Sequence, residues 1–240
     1  IKGLTTSAVN AEIPHSPVYN MGTDDEFTIQ LKIKKGFSKF NLTTPDYQYK
    51  WPSILSKRQI SDVFKTGWTI SLNDNSWKLV IGRDRVDGGE GMVNIISSIQ
   101  ISGGTWHDLT VVCMKKVDGR RWVKLYTDGV LATVEAGVIV PQGDIDNDYP
   151  LTLGYLPGES SGNAADLNVY INEVKIFRTA LPEAVVKETA CDPSLHPGSP
   201  YFQYLAGYWP MKEGTGDKFL DKSNIGKDFQ IKGAYFVGSD

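Results

Sequence analysis

Short runs in which apolar and polar residues alternate recur along the chain, separated by clusters of Gly, Asn, Asp and Pro. In the run EFTIQLKIK, residues 26–34, the apolar residues occupy every second position. These residues are Phe27, Ile29, Leu31 and Ile33. This alternation is the period of a β-strand with one buried and one solvated face. The repeated pattern predicts an all-β protein of about a dozen antiparallel strands.

Two segments have the composition of β-hairpins. In GWTISLNDNSWKLVIG the turn residues are Asn73, Asp74 and Asn75, which tolerate a positive φ. In RWVKLYTDGVLATV the pair Asp128 and Gly129 favours a two-residue turn. The register of both hairpins is therefore predicted by their turns.

The run LNVYINEVKIFRTAL changes its alternation halfway along. Val169 and Ile171 share one parity, whereas Val174 and Ile176 share the other. A β-bulge at residues 172–173 would place all four on the core face. The following LPEAVVKET, residues 181–189, predicts one short helix that begins with a proline in its first turn.

Composition excludes several classes of function. The chain of 240 residues is 40% hydrophobic and 11% aromatic, enough for a sizeable core, and its formal net charge of −3 argues against nucleic-acid binding. No apolar run approaches the length of about 20 residues that crosses a bilayer. The sequence starts at Ile1 without Met, so we expect a fragment of a longer chain with an upstream domain.

The two cysteines, Cys113 and Cys191, are too few for a disulfide scaffold and lack the spacing of a zinc site. Cys113 lies in the apolar run LTVVCM, which favours a buried free thiol over a single bridge.

After the Pro-rich stretch CDPSLHPGSP, about 40 residues remain, which is near the size below which an independent core needs disulfides, metal or a partner. The apolar run YLAGYW begins this tail. We therefore expect residues 201–240 to pack back onto the preceding domain as strands of the same sandwich. A separately packed or disordered tail is the alternative.

A series of motifs resembles the laminin-G-like branch of the concanavalin A-like lectin/glucanase superfamily. In order along residues 27–186 they are EFTIQLKIKKG, SILSKR, GWTISLNDNSWKLVI, GTWHDLTVV, VKLYTDGVLATV, PLTLGY and INEVKIFRTALPEAVV. The resemblance implies a two-sheet antiparallel jelly-roll sandwich with one short helix, extending as a single domain over residues 1–240. The C-terminal segment resembles the part that opens such domains, as in secreted surface proteins of Bacteroidetes that carry an upstream immunoglobulin-like domain. That resemblance implies an extracellular or cell-surface location.

No pattern in the sequence indicates catalysis. The Glu-x-Asp-x-x-Glu pattern of the glucanase branch is missing, as are Gly-x-Ser-x-Gly and His-Glu-x-x-His. Glu173 occupies the closing-strand acidic position of the family, where a structural hydrogen bond is favoured over catalysis. Two carboxylates from different strands could still meet in a cleft, which leaves a divergent glycoside hydrolase as an alternative.

Two loops carry residues suited to sugar recognition, because sugars stack on aromatic rings and hydrogen-bond to polar groups. In PDYQYKWP the aromatic residues alternate and would share one face if the segment is extended: Tyr47, Tyr49 and Trp51. Packing under a long loop is the alternative. In GRDRVDGGEG donors and acceptors are mixed, although a solvated hairpin tip has the same composition: Arg83, Asp84, Arg85, Asp87 and Glu90.

A third loop, GDIDNDYP, offers hard oxygen ligands of the kind that calcium prefers. These are Asp144, Asp146, Asn147 and Asp148. The loop is not an EF-hand, and a solvated turn remains the alternative; laminin-G-like domains often carry a calcium site.

Other aromatic and basic residues are predicted to have structural roles and not to bind a ligand. Trp68, Trp106 and Trp209 lie in strand patterns and are predicted to be core, whereas the basic hairpin end KKVDGRR, residues 115–121, is predicted to be a solvated turn.

The sequence predicts a non-catalytic, monomeric carbohydrate-binding module whose partner is a glycan. Calcium is the one candidate cofactor. A protein-interaction or spacer module in a surface assembly is the alternative from another class.

Overall fold

A computed structural model of the chain describes residues 10–22, 25–36, 53–58, 66–73, 75–82, 92–117, 120–133, 145–157, 169–191 and 197–232, with the backbone alone for 115–117, 120 and 191. The strands are β1 (Asn10–Ile13), β2 (Phe27–Lys35), β3 (Ser53–Arg58), β4 (Gly67–Asn73), β5 (Ser76–Gly82), β6 (Met92–Ile96), β7 (Trp106–Val117), β8 (Arg120–Thr127), β9 (Val130–Leu131), β10 (Leu151–Leu153), β11 (Val169–Phe177), β12 (Leu205–Trp209), β13 (Lys218–Phe219) and β14 (Phe229–Lys232). The α-helix α1 spans Glu183–Cys191. Short 3-10 turns cover Pro17–Tyr19 and Phe202–Tyr204.

The strands form two antiparallel sheets. One has eight strands in the order β13-β14-β1-β10-β3-β4-β5-β6, and the other has six in the order β12-β11-β2-β7-β8-β9. This arrangement is that of a jelly-roll sandwich, in which the apolar side chains of the two facing sheets interdigitate. The all-β, two-sheet class predicted from the alternation is confirmed.

The main core lies between the two sheets and contains the apolar face of β2. The four alternating residues Phe27, Ile29, Leu31 and Ile33 are at most 1% exposed. Trp68 and Trp77 on β4 and β5 belong to the same core cluster. The predicted strand face is therefore the one that the sandwich buries.

The bulge predicted in β11 is present. Its pairing with β2 shifts register between Ile171 and Glu173. Because of that shift, all four apolar residues of the strand face the main core: Val169, Ile171, Val174 and Ile176. A change of parity in the sequence thus marked the position of the extra residue.

Both predicted hairpins are also confirmed. β4 and β5 pair up to Asn73 and Ser76, and β8 joins β9 through Asp128 and Gly129. Asp128 has φ 53° and Gly129 has φ 74°, the positive values that a two-residue turn requires.

Helix α1 begins within the predicted segment and packs on the outer face of the six-stranded sheet. Val186 and Leu181 are buried there with Val112, Tyr126 and Phe177 in a second apolar cluster. Among the described residues, no helix is long and apolar enough to cross a membrane.

The C-terminal segment supplies strands to both sheets. β12 pairs with β11, whereas β14 pairs with β1 and with β13. Trp209 is fully buried, with ring centroids 6.0 Å from Tyr19 and 4.8 Å from Phe229. Its indole Nε1 donates to the backbone oxygen of Lys227 at 2.9 Å. The segment is thus packed into the core that the earlier strands form.

Two residues differ from the prediction. Trp106 is 40% exposed instead of buried, because it shares the outward parity of β7 with Asp108. Arg121 is 5% exposed, not part of a solvated turn: it shares the inward parity of Val123 and donates to the backbone oxygens of Met21 and Gly22. Cys113 is a buried free thiol, as expected.

Candidate functional site

The eight candidate sugar-binding residues of the two loops lie outside the described residues, as does Asp144. These are Tyr47, Tyr49, Trp51, Arg83, Asp84, Arg85, Asp87 and Glu90. What the structure does describe is the sheet to which both loops are joined. The aromatic loop leads directly into β3 at Ser53, and the charged loop connects the end of β5 at Gly82 to the start of β6 at Met92.

The two loops are attached at opposite ends of the neighbouring strands β3, β4 and β5 of the eight-stranded sheet. Ser53 lies opposite Ser71, which lies opposite Lys78. At the other end of the same strands, Arg58 lies opposite Gly67, which lies opposite Gly82. On β4 and β5 the two rows are four residues apart, which corresponds to about 13 Å. Both loops therefore adjoin one stretch of sheet, from its two ends.

The outer face of that stretch is polar and withdrawn from solvent. One row across the sheet is formed by Thr152, Ser56, Thr69 and Val80, and each of the three hydroxyl residues is at most 3% exposed. The neighbouring row is formed by Ser53, Ser71 and Lys78, at most 5% exposed. We call these two rows the hydroxyl face. Buried polar side chains on the non-core side of a sheet are unusual, since an isolated sheet would expose them.

The hydroxyl face is only partly satisfied by internal hydrogen bonds. Ser56 Oγ and Thr69 Oγ1 lie 2.9 Å apart, and Thr152 Oγ1 donates to the backbone oxygen of Tyr155 at 2.8 Å. The hydroxyls of Ser53 and Ser71 are buried without a hydrogen-bond partner. A buried hydroxyl left without a partner costs about 1–3 kcal/mol, so these two hydroxyls have unused hydrogen-bonding capacity.

The face also carries two buried cations, Lys78 and Arg58. Burial, together with the nearby guanidinium of Arg58, lowers the pKa of Lys78 to about 8. The side chains of Lys78 and Arg58 are both buried, and both interact with other groups of the protein. The face therefore combines hydroxyl and basic donors, the kind of lining that hydrogen-bonds to oxygen-rich ligands.

The oxygen-rich loop, residues 145–149, closes one end of the sandwich. Asp146 Oδ1 accepts from the backbone N–H of Gly22 at 2.7 Å, and the Asn147 side chain donates to the backbone oxygen of Lys57 at 2.9 Å. Asp148 is almost fully exposed and lies 3.5 Å from His15 Nε2. The three candidate ligands that the structure describes, Asp146, Asn147 and Asp148, thus contact three different partners.

The cation that meets this loop is the ammonium of Lys57. Lys57 lies on the inner face of β3 and is 1% exposed. Its Nζ donates to the backbone oxygen and Oδ1 of Asn147, both at 2.9 Å, and to the backbone oxygen of Tyr149 at 2.7 Å. We call Lys57 with these acceptors the lysine cage. Calcium at this loop would have to compete with the ammonium for the oxygens of Asn147, so the described residues do not fit a resident ion.

Gly67 allows the cage to close. A Cβ at this position would lie 2.1 Å from the backbone oxygen of Lys57 and 2.6 Å from Asn147 Nδ2, and φ is +116°. Neither the space nor the backbone conformation admits another residue. Among the described residues, no group of three or more His, Cys, Asp or Glu side chains could hold a metal ion.

The stability of the protein is expected to rise between pH about 8 and 9. Burial lowers the pKa of Lys57 to about 8, against the opposing carboxylates of Asp146 and Asp148, and Lys78 behaves alike. Above pH 8 the native state therefore releases protons that the unfolded state still binds, which favours the native state. Above pH about 9 the rise becomes shallower, because burial raises the pKa of Cys113 to about 12, so the native thiol keeps a proton that the unfolded thiol releases and this offsets the contribution of one of the two lysines.

Urea unfolding at pH 7.5, 8.5 and 9.5 measures this dependence. In the Lys57→Met variant, the increase in the free energy of unfolding between pH 7.5 and 8.5 should be smaller than in the wild type. A wild-type stability that falls over that interval would contradict the low pKa of the two lysines.

Two carboxylates on the outer face of the six-stranded sheet flank a lysine. Asp108 and Glu173 lie opposite Lys32 on the two neighbouring strands, which places them roughly 10 Å apart. Asp108 accepts from Lys32 Nζ at 3.0 Å, and Glu173 is 2.9 Å from Lys175 Nζ. Burial raises the pKa of Asp108 in spite of that lysine. Each carboxylate is thus engaged by an internal ammonium, on an outer sheet face.

Sequence reasoning missed the lysine cage and the exposed face around Trp106. A signal for Trp106 was present: Leu109, Val111 and Cys113 have the inward parity, and Trp106 has the other. No local signal marks Lys57, since its acceptors lie 90 residues or more away in the sequence.

The family of the chain is established by comparison with known proteins. A laminin G-like model described as the concanavalin A-like lectin/glucanases superfamily matches residues 40–187, well over half of the chain. The chain belongs to this superfamily. No curated protein matches it in sequence.

Solved structures share the fold at low identity. A "putative carbohydrate binding protein" from Bacteroides ovatus superimposes with a TM-score of 0.62 at 15% identity, covering 100% of this chain and 61% of the other. The binding domain of Paraclostridial Mosquitocidal Protein 1 gives 0.58 at 18% identity, with 79% and 42% covered. The botulinum neurotoxin serotype G binding domain gives 0.53 at 16%, with 76% and 40% covered. The chain spans less than two thirds of each of these structures.

Proposed function

We propose that the protein is a non-catalytic carbohydrate-binding module of a secreted or surface-anchored bacterial protein. The observation that carries the proposal is the hydroxyl face, in which Ser53 and Ser71 lie buried without a hydrogen-bond partner between the attachment points of the two candidate loops. Glycans supply many hydroxyl groups that can pair with such donors and acceptors, and their C–H faces stack on aromatic rings.

Two further facts support binding over catalysis. The described carboxylates at Asp108 and Glu173 are each engaged by a lysine. The structurally similar proteins are named as a carbohydrate binding protein and as binding domains of toxins. In this proposal the aromatic loop with Trp51 supplies the stacking surface, and the hydroxyl face supplies the polar contacts.

A glycan array followed by titration calorimetry tests the proposal. We expect selective binding of the wild type, weakened at least about fivefold by Trp51→Ala and by Ser71→Ala, since each change removes a contact of roughly 1 kcal/mol. Tyr204→Ala, which truncates an aromatic residue that is 42% exposed elsewhere on the surface, is the matched control.

The same titration with calcium and with a chelator separates the roles of the loops. Binding that is lost only in chelator would assign calcium to the loop of residues 144–148, which the lysine cage argues against. A wild type that binds no glycan would exclude the carbohydrate-binding function and favour a protein-interaction or spacer module.

A further inference from the structure

A row of aromatic, basic and aromatic side chains crosses the outer face of the six-stranded sheet. Tyr170 lies opposite Lys34, and Lys34 lies opposite Trp106, on the three adjacent strands β11, β2 and β7. The Nζ of Lys34 is 4.7 Å from the ring centroid of Tyr170 and 5.2 Å from that of Trp106. The ammonium is therefore held between two ring faces by cation–π contacts. We call these three residues the aromatic row.

The aromatic row lies on the half of the sheet face that α1 leaves uncovered. At the other half, Gln30 Nε2 donates to Thr189 of α1 at 2.8 Å, and Thr28 donates to the backbone oxygen of Thr179. Lys32 and Lys34 lie further along β2, beyond these contacts. Trp106 is 40% exposed, so its ring is accessible to a large ligand.

Charge is unbalanced at this row. The neighbouring lysines are paired, since Lys32 lies 3.0 Å from Asp108 and Lys175 lies 2.9 Å from Glu173. Lys34 has ring contacts but no carboxylate partner among the described residues. The surface thus offers one uncompensated positive charge between two apolar ring faces.

A further acid beside the start of β7, Asp128, is also engaged. Asp128 caps the start of β7, where its Oδ1 accepts from the backbone N–H of Asp108 at 2.8 Å and its Oδ2 lies 2.7 Å from His107 Nδ1. His107 points to the inner side of the sheet and is 9% exposed. Asp128 is therefore held by these two contacts, and the positive charge of Lys34 remains available to a ligand.

We propose that Tyr170, Lys34 and Trp106 form a binding site for an anionic glycan, one that carries carboxylate or sulfate groups. The C–H face of a sugar ring stacks on Trp106, and its anionic group pairs with the ammonium of Lys34, which the rings hold in place. This inference rests on the proposed function for the class of ligand, but it uses the sheet opposite to the hydroxyl face.

Titration calorimetry and tryptophan fluorescence test the site with three probes. Oligogalacturonate carries carboxylates, its methyl ester has the same backbone without charge, and dextran sulfate carries sulfates. We expect the charged probes to bind and the ester to bind at least about tenfold more weakly, as a charge-assisted hydrogen bond predicts. Preference for carboxylate or for sulfate identifies which anion the site takes, and either preference supports it.

Variants locate the binding. Lys34→Gln and Trp106→Ala should each weaken binding of the charged probes on the order of tenfold, while Lys34→Arg retains it. The matched controls are Lys212→Gln and Tyr204→Ala, which change exposed residues of the same kinds elsewhere, and thermal melts verify that each variant is folded. Binding retained within about twofold in both Lys34→Gln and Trp106→Ala, or no binding of any charged probe, would overturn the site.

The Trp51→Ala variant distinguishes this inference from the proposed function. Glycan binding lost in Trp51→Ala but retained in Lys34→Gln and Trp106→Ala overturns the aromatic row and leaves the carbohydrate-binding function intact. Glycan binding that is lost in Lys34→Gln and Trp106→Ala but retained in Trp51→Ala supports the aromatic row and excludes the aromatic loop as the main contact.

Discussion

Replacing Lys57 with methionine is expected to lower the free energy of unfolding by about 2–4 kcal/mol at pH 7, because three partly buried acceptors would lose their donor. These acceptors are the backbone oxygen and Oδ1 of Asn147 and the backbone oxygen of Tyr149. Methionine keeps the apolar stem, so the loss reports on the ammonium. Removing the cost of burying that charge offsets part of the loss, which is why the expected value is not larger.

Urea unfolding of the two proteins gives the difference directly. Lys212→Met is the matched control, since Lys212 is exposed and its replacement should change stability by less than about 0.5 kcal/mol. If Lys57→Met is as stable as this control, the lysine cage contributes nothing to the fold. A variant that gains calcium affinity would show that the same oxygens accept a metal once the ammonium is removed.

Replacing Trp209 with alanine is expected to cost about 3–5 kcal/mol, the range for a large aromatic side chain removed from a core. Trp209 is fully buried against Tyr19 and Phe229, and its indole N–H bonds to the backbone oxygen of Lys227. The change therefore removes the contact that joins β12 to the strands at the edge of the other sheet.

Trp106→Ala is the control, because it makes the same substitution at an exposed position. It should lower the free energy of unfolding by less than about 1 kcal/mol. Chemical unfolding monitored by circular dichroism measures both variants. A Trp209→Ala protein that unfolds at the wild-type midpoint would show that residues 205–232 are not part of the cooperative unit.

Local pattern was enough to predict most of the fold. Alternation identified the buried face of β2, and the change of parity in β11 identified the bulge between Ile171 and Glu173. The pair Asp128 and Gly129 predicted a turn because its φ requirement is local. These features depend on a few consecutive residues, and the sequence contains them in full.

The contacts around the candidate sites could not be predicted from the sequence, because their partners are distant along the chain. The loop of residues 144–148 has the composition of a calcium site, but only the fold shows that Lys57 reaches Asn147 and Tyr149. Similarly, the aromatic row exists only because β11, β2 and β7 are adjacent in the sheet, while Trp106 precedes Tyr170 by more than 60 residues in the chain. Composition predicts which chemistry is available, whereas topology decides which groups meet.

The position of the C-terminal strands has a consequence for biosynthesis. β12 forms one edge of the six-stranded sheet, and β13 and β14 extend the eight-stranded sheet beyond β1. Until residues 205–232 have been synthesised and have paired, the earlier strands β11 and β1 would each present an unpaired backbone edge, and such edges promote association between chains. The module can therefore become resistant to aggregation only once this last segment of the chain is in place.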